Sequence, residues 1–148
     1  MSLLVLDGSE NALIAYDRDG LEFEQNRIAA FGVVRIGGDG FVKEVIEKPL
    51  PEEMEQVRGT DGVVRVSMNI FKLYYGTTLS FLEACPEDPI RKEKELPVAL
   101  NSMVRKYPAT MRAIPLREHV PDLTYKNDIE TVREYLAKHG AVLEWGDT

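Results

Sequence analysis

Cysteine and histidine are scarce in this chain of 148 residues, and both shortages restrict its chemistry. The single cysteine, Cys85, cannot form an internal disulfide, and no histidine or second cysteine stands near it at the spacing of metal ligands. Because Pro86 follows, we expect Cys85 to be a small buried side chain that closes a helix rather than a nucleophile. The sequence therefore excludes a disulfide-stapled fold and gives no sign of a zinc centre.

Positive charge and long apolar runs are scarce as well. The 25 acidic residues exceed the 18 basic ones, for a formal net charge of −7 at pH 7. Such a field repels polyanions, so neither nucleic acid nor an anionic membrane surface is an expected partner. No run approaches the roughly 18 apolar residues of a membrane span. The first ten residues, MSLLVLDGSE, lack the basic and apolar parts of a signal peptide. We expect a cytoplasmic location and a single domain, or part of a larger one, over residues 1–148.

Two common catalytic motifs are missing. The sequence contains neither the phosphate loop G-x-x-x-x-G-K-[ST] nor the nucleophile elbow G-x-S-x-G. Its glycine-rich stretch, G-G-D-G at residues 37–40, lies between two extended segments and reads as a hairpin turn.

The apolar pattern predicts an α/β fold with a mixed sheet. Two hairpins come first: residues 3–6 with 12–16, and residues 30–36 with 41–47. A short exposed helix over residues 51–58 follows, and the run at residues 62–73 is apolar enough for a central strand. The remaining predicted elements are a helix capped by Thr77 or Thr78 that ends before Pro86, an amphipathic helix over residues 95–107, a strand over 111–116, and a helix from near Asn127 to Gly140.

Polar side chains stand at or near the ends of the extended segments. Glu47 and Lys48 follow the second hairpin, Ser67 and Asn69 lie in the central strand, and Asp122 follows the last strand. Open α/β sheets bind ligands outside strand ends, so these residues can converge. A carboxylate accepts hydrogen bonds from sugar hydroxyls, and an ammonium neutralises the charge of a phosphate. An amide both donates and accepts hydrogen bonds, so this set of side chains suits a phosphorylated sugar. The residues alone still favour the simpler reading of an exposed ion pair and a satisfied core amide.

An ordered series of short motifs runs through residues 30–136. In order they are F-G-V-V (31–34), a G-D-G turn, V-I-E-K-P (45–49), S-M-N-I-F (67–71), E-L-P-V-A-L (95–100) and D-L-T-Y-K-N-D-I (122–129). The series resembles the C-terminal half of sugar-phosphate nucleotidyltransferases, the NDP-sugar pyrophosphorylases. These enzymes join a nucleoside triphosphate to a sugar 1-phosphate and release pyrophosphate. That family has Y-G-V-V, E-K-P, N-A-G-I-Y or S-M-G-I-Y, and W-x-D-I-G-T-P-E-D-L in the same order.

The resemblance assigns a role to each matching position. Gly32 offers backbone close to the sugar, Glu47 binds sugar hydroxyls, and Lys48 is the catalytic residue that orients the attacking phosphate. Asn69, with Ser67 beside it, lines the sugar pocket. The resemblance also implies a Rossmann-like transferase fold, sugar 1-phosphate and NTP as partners, and a possible homo-oligomer.

The same resemblance implies Mg²⁺ as cofactor, with Asp122 or Asp128 as its ligand. Asp128 falls in the first turn of the last helix, where the helix dipole already favours a carboxylate. Asp122 has no such local duty, so we predict Asp122 as the metal ligand.

Three departures from the family pattern bear on the prediction. Val120 stands where the family has Trp, and Asn69 stands where S-M-G-I-Y has Gly, so the sugar is not identified. The nucleotide-binding half with its G-x-G-T-R loop does not occur in this sequence, so we expect a fragment of a longer enzyme that is inactive alone; a gene encoding only this half is the alternative. Two competing functions stay open: a non-catalytic regulatory or oligomerisation module, and an interaction domain of unrelated α/β fold.

Overall fold

The computed structural model describes residues 8–139, apart from the side chains of Pro51, Glu52 and Glu55. The chain divides into two compact units, residues 1–118 and residues 119–148. Within the described residues, no helix has both the length and the apolar character needed to cross a membrane.

The first unit contains one sheet and four helices among its described residues. Its strands are β1 (Asn11–Asp17), β2 (Val33–Ile36), β3 (Val42–Ile46), β4 (Arg65–Lys72) and β5 (Met111–Leu116). Its helices are α1 (Gln25–Ile28), α2 (Pro51–Gln56), α3 (Tyr75–Ala84) and α4 (Leu96–Lys106), and a single 3₁₀ turn covers Arg18–Gly20.

The five strands form one mixed sheet in the order β3-β2-β4-β1-β5. Only β1 and β5 run parallel; the other neighbours are antiparallel. The predicted α/β class with a mixed sheet, the hairpin of β2 and β3, and the central place of β4 are therefore confirmed. Of the predicted first hairpin, residues 3–6 lie outside the described residues, and β1 has β4 and β5 as its two neighbours.

Helix α4 packs on one face of the sheet and closes the core there. Its Leu100, Met103 and Val104 join Leu13 and Met111 in one buried cluster. Each such side chain contributes about 1.5–3 kcal/mol when fully buried. The i, i+4, i+7 spacing predicted this face, although Tyr107 at its end is half exposed.

Asn101 of α4 binds the backbone of β3, an outer strand of the sheet. Its Oδ1 accepts a hydrogen bond from the N–H of Val45 at 2.8 Å, and its Nδ2 donates to the carbonyl of Val45, also at 2.8 Å. An amide side chain thus completes both backbone bonds of one strand residue. This pair fixes the end of β3 two residues before Glu47.

The far end of the same hairpin reaches β5. Phe41 bridges Arg112 in antiparallel fashion, and the N–H of Ala113 donates to the carbonyl of Gly40 at 3.0 Å. The two outer strands therefore meet near the hairpin turn, so the sheet curls at that end and is less open than the sequence suggested.

Two predicted boundaries are wrong. Helix α3 begins at Tyr75, before the predicted caps, and the hydroxyls of Thr77 and Thr78 donate back to the carbonyl of Tyr74. Residues 30–32 are not strand: β2 begins at Val33, after the short helix α1. The end of α3 before Pro86 is as predicted, with Cys85 buried at the cap.

The second unit contributes one helix, α5 (Asp128–His139). Asn127 directly precedes it, and Oδ2 of Asp128 accepts from the N–H groups of Thr124 at 2.9 Å and Tyr125 at 2.7 Å in the turn before the helix. The predicted stop at Gly140 lies outside the described residues.

Candidate functional site

Glu47 and Lys48 follow the last residue of β3, Ile46, and lead into Pro49. The backbone of Lys48 has a φ of +49°, in the left-handed region that residues with a Cβ rarely adopt. Such a conformation costs about 1–2 kcal/mol in a residue other than glycine. Residues other than glycine in this conformation concentrate at binding and active sites, so the strained backbone makes Lys48 a candidate site residue.

Asn69 occupies a bulge in the central strand β4. Between the pairs Leu13–Phe71 and Ala15–Ser67, β1 advances by two residues while β4 advances by four. Asn69 has a φ of +58° in this bulge, and the hydroxyl of Ser67 accepts its backbone N–H at 3.2 Å. Bulges redirect side chains next to binding sites, and this one leaves Asn69 exposed inside an otherwise central strand.

Gly32 lies between these two segments. Its carbonyl accepts the N–H of Ser67 at 2.8 Å, which ties it to β4. A Cβ added at Gly32 would lie 2.7 Å from Oε1 of Glu47 and 3.3 Å from its Cδ. Glycine at this position therefore leaves the room that the Glu47 carboxylate occupies.

Glu47, Lys48 and Asn69 line one cavity of about 730 Å³, together with Phe71 of β4. The opposite wall is the loop before α4 and the first turn of that helix, with Asp88, Arg91, Lys94 and Pro97 among its residues. The loop is ordered by its own contacts. Glu87 bridges Lys94, and the Asp88 carboxylate accepts the N–H groups of Ile90 at 2.9 Å and Arg91 at 2.7 Å.

The three cationic side chains that line the cavity, Lys48, Arg91 and Lys94, differ in their hydrogen bonds and ion pairs. Arg91 forms an ion pair with Glu95 at 2.9 Å. Lys94 donates to the carbonyls of Leu82 at 3.1 Å and Glu83 at 2.6 Å, at the end of α3. Among the described side chains, none forms a hydrogen bond or an ion pair at contact distance with the ammonium of Lys48, which leaves it available to an anionic ligand.

The Glu47 carboxyl shares this environment. Its partial burial raises its pKa above the ordinary 4.5, and the nearby negative charge of Glu95 raises it further. The positive charges of Lys48 and Arg91 act in the opposite direction. No hydrogen bond or ion pair to the Glu47 carboxylate occurs among the described residues, so both oxygens can accept bonds from a ligand.

Three of the five residues predicted to bind the sugar phosphate thus line one cavity. The other two do not line it but contact residues that do. Gly32 makes room for Glu47, while Ser67, which is 5% exposed, holds the Asn69 bulge. Asp122 belongs to the second unit, and its predicted role stays a prediction.

The predicted metal ligand has a local contact that the sequence did not suggest. Oδ2 of Asp122 accepts the hydroxyl of Thr124 at 2.9 Å, so Asp122 also takes part in the turn before α5. Asp128, in the first turn of α5, binds the backbone of the turn before that helix. No group of three His, Cys, Asp or Glu residues suited to a metal forms within the described residues.

Sequence reasoning missed the wall opposite Glu47. Arg91, Phe71 and the loop at residues 87–95 were assigned no part in the site. The available signal was the mixed-charge stretch R-K-E-K-E at residues 91–95, placed directly before an amphipathic helix and with Arg91 and Glu95 at ion-pair spacing.

Comparisons with known proteins leave the family open. No model of a known protein family matches the chain, and no curated protein matches it.

Proposed function

We propose that the first unit binds a sugar 1-phosphate and is the sugar-phosphate half of a nucleotidyltransferase of the NDP-sugar pyrophosphorylase type. The observation that carries the proposal is the convergence of Glu47, Lys48 and Asn69, from two separate motifs, at one cavity. Its volume of about 730 Å³ falls within the range of roughly 300–1,000 Å³ typical of small-molecule sites.

The chemistry of the cavity fits the two parts of such a ligand. The unpaired Lys48 ammonium supplies a point charge for phosphate, and the Glu47 carboxylate and Asn69 amide supply acceptors and a donor for hydroxyls. Phe71 and Pro97 add apolar surface for the C–H face of a sugar ring. In this proposal Lys48 orients the sugar phosphate as its oxygen attacks the α-phosphate of an NTP and pyrophosphate leaves.

The left-handed backbone at Asn69 adds support from the family pattern. The motif S-M-G-I-Y has Gly where this chain has Asn69, and a φ of +58° is a conformation that glycine adopts without strain and asparagine tolerates. Asparagine therefore keeps the bulge while adding an amide to the cavity, which would change which sugar hydroxyls are recognised.

Catalysis in this proposal needs the family's nucleotide-binding half, whose G-x-G-T-R loop does not occur in this sequence. Mg²⁺ and its ligand Asp122 are part of the same proposal: the ion would neutralise charge between the two substrates' phosphates. The expected homo-oligomer and the Rossmann-like parent fold are likewise proposals.

The test is an NMR titration of the full chain with glucose, galactose and mannose 1-phosphates. We expect fast-exchange shifts of the backbone amides of Glu47, Lys48 and Asn69, and no nucleotidyl transfer when NTP and Mg²⁺ are added. Glucose alone and inorganic phosphate serve as separate controls for the two halves of the ligand. Lys48→Ala should weaken binding at least about tenfold, the loss of a charge-assisted bond, whereas Lys92→Ala, which changes a loop lysine that does not line the cavity, should not. Shifts at none of the three cavity residues for any sugar phosphate would contradict the proposal.

A further inference from the structure

A second cavity lies on the other face of the same strands. It measures about 240 Å³, and Phe31, Val33, Pro49 and Val66 are among its lining residues. Each of them is a sequence neighbour of a residue of the first site: Gly32, Lys48 or Ser67. Because successive strand residues point to opposite faces, Val33 and Val66 face away from the α4 core that holds Val34 and Val45. The backbone segments around Gly32, Lys48 and Ser67 therefore separate the two cavities.

The second cavity is apolar with one exception. Ile28, Ala29 and Met54 also line it. Arg18 is the only polar or charged residue among the described lining residues. No acid lines it among those residues. A concave apolar site with one well-placed charged group is the usual form of a small-ligand site.

Arg18 has no acceptor in the described part of the chain. It belongs to the 3₁₀ turn, where its backbone N–H donates to the carbonyl of Val64 at 3.0 Å. The adjacent acid, Asp17, is already occupied: Oδ1 accepts the N–H of Asp19 at 3.0 Å, and Oδ2 pairs with Arg117 at 2.8 Å. The half-buried Arg18 thus lines an apolar cavity, and its side chain has no hydrogen-bond acceptor among the described residues.

We propose that this second cavity binds a small monoanion with an apolar body, of the aryl or branched-alkyl carboxylate class, with its carboxylate on Arg18. A guanidinium presents two parallel N–H donors that match the two oxygens of a carboxylate. A phosphate would bring a second negative charge, for which the described lining residues offer no second cation. The proposal goes beyond the proposed function and does not depend on it.

The competing explanation is that Arg18 only covers apolar surface with its stem and keeps its head in water. The two explanations differ in one respect. If Arg18 recognises a carboxylate, the cavity discriminates between ligands of equal shape by charge; if it only covers surface, it does not.

The test uses benzoate, its uncharged analogue benzyl alcohol and its cationic analogue benzylamine, titrated into the full chain and followed by methyl NMR at Met54, Val33 and Val66. We expect benzoate to bind at least tenfold more tightly than either analogue. Arg18→Leu should weaken benzoate at least tenfold and leave benzyl alcohol within about twofold. Arg18→Lys, which keeps the charge but not the paired donors, should fall between.

Two further variants keep the test decisive. Arg105→Leu removes the same charge from an exposed position on α4 and should leave benzoate affinity within twofold. Ala29→Trp enlarges an exposed residue at the cavity and should block all three probes, even if the Arg18 variants unfold. Equal affinity for benzoate and benzyl alcohol would overturn the proposal, as would benzoate shifts centred on Lys48 and Asn69 instead of Met54.

Discussion

Replacing Lys48 by glycine should raise the free energy of unfolding. The same variant should lose the ammonium that we propose as the binding group for the sugar phosphate. Lys48 has a φ of +49°, a region that costs a residue with a Cβ about 1–2 kcal/mol. Glycine relieves that strain but loses roughly 0.5–1 kcal/mol through its larger conformational entropy in the unfolded chain. The net expectation is a gain of about 0.5–1 kcal/mol in the free energy of unfolding.

The measurement is urea unfolding followed by far-ultraviolet circular dichroism, with the slope of the transition unchanged between variants. Binding of sugar 1-phosphates is measured on the same samples and should weaken at least about tenfold in Lys48→Gly. Lys48→Ala separates the two effects, because it keeps the strained backbone while removing the ammonium: binding should weaken at least about tenfold without any gain in stability.

Lys92 offers a matched control. It also has a left-handed backbone, with a φ of +59°, but does not line the cavity. Lys92→Gly should therefore stabilise the fold by a similar amount and leave sugar phosphate binding unchanged. A Lys48→Gly variant less stable than the parent chain, beside a stabilised Lys92→Gly, would refute the reasoning.

Three further predictions concern the support of the same site. Gly32→Ala should push the Glu47 carboxylate aside, since its Cβ would lie 2.7 Å from Oε1; we expect at least about tenfold weaker binding by NMR titration but under about 1 kcal/mol of lost stability. The raised pKa of Glu47 means that the folded chain binds more protons than the unfolded chain just above pH 4.5, so the free energy of unfolding should fall as pH rises through the folded pKa. Urea unfolding across this range should show no such fall in Glu47→Gln. Asn101→Leu should cost about 2–4 kcal/mol by leaving both backbone groups of Val45 unsatisfied, against under about 0.5 kcal/mol for Ser102→Ala on the exposed face.

The regular parts of the fold follow from patterns that the sequence carries. Strand β5 has the predicted bounds, and the buried face of α4 follows the 3.6-residue period of Leu96, Leu100 and Met103. The start of α3 was misplaced because the hydroxyls that could cap a helix can equally bond back to a carbonyl inside its first turn, as that of Thr78 does at 2.9 Å.

The candidate site was predictable only in part. Strand ends identify Glu47 and Lys48, because the pattern shows where β3 stops. The bulge at Asn69 could not be predicted, since no glycine marks the left-handed position and the apolar run continues on both sides. The opposite wall is a loop without periodicity, and its position depends on contacts of Asp88 and Lys94 that become visible only in the fold.

The pairing of Asn101 with Val45 has a consequence for association between molecules. An outer strand offers unpaired backbone groups to which a strand from a second chain can add, and this is a common start of aggregation. On β3 the N–H and carbonyl of Val45 are already bonded to a side chain held by α4. A strand approaching β3 would have to displace that amide before it could add there, so Asn101 protects the end of this edge against intermolecular sheet growth.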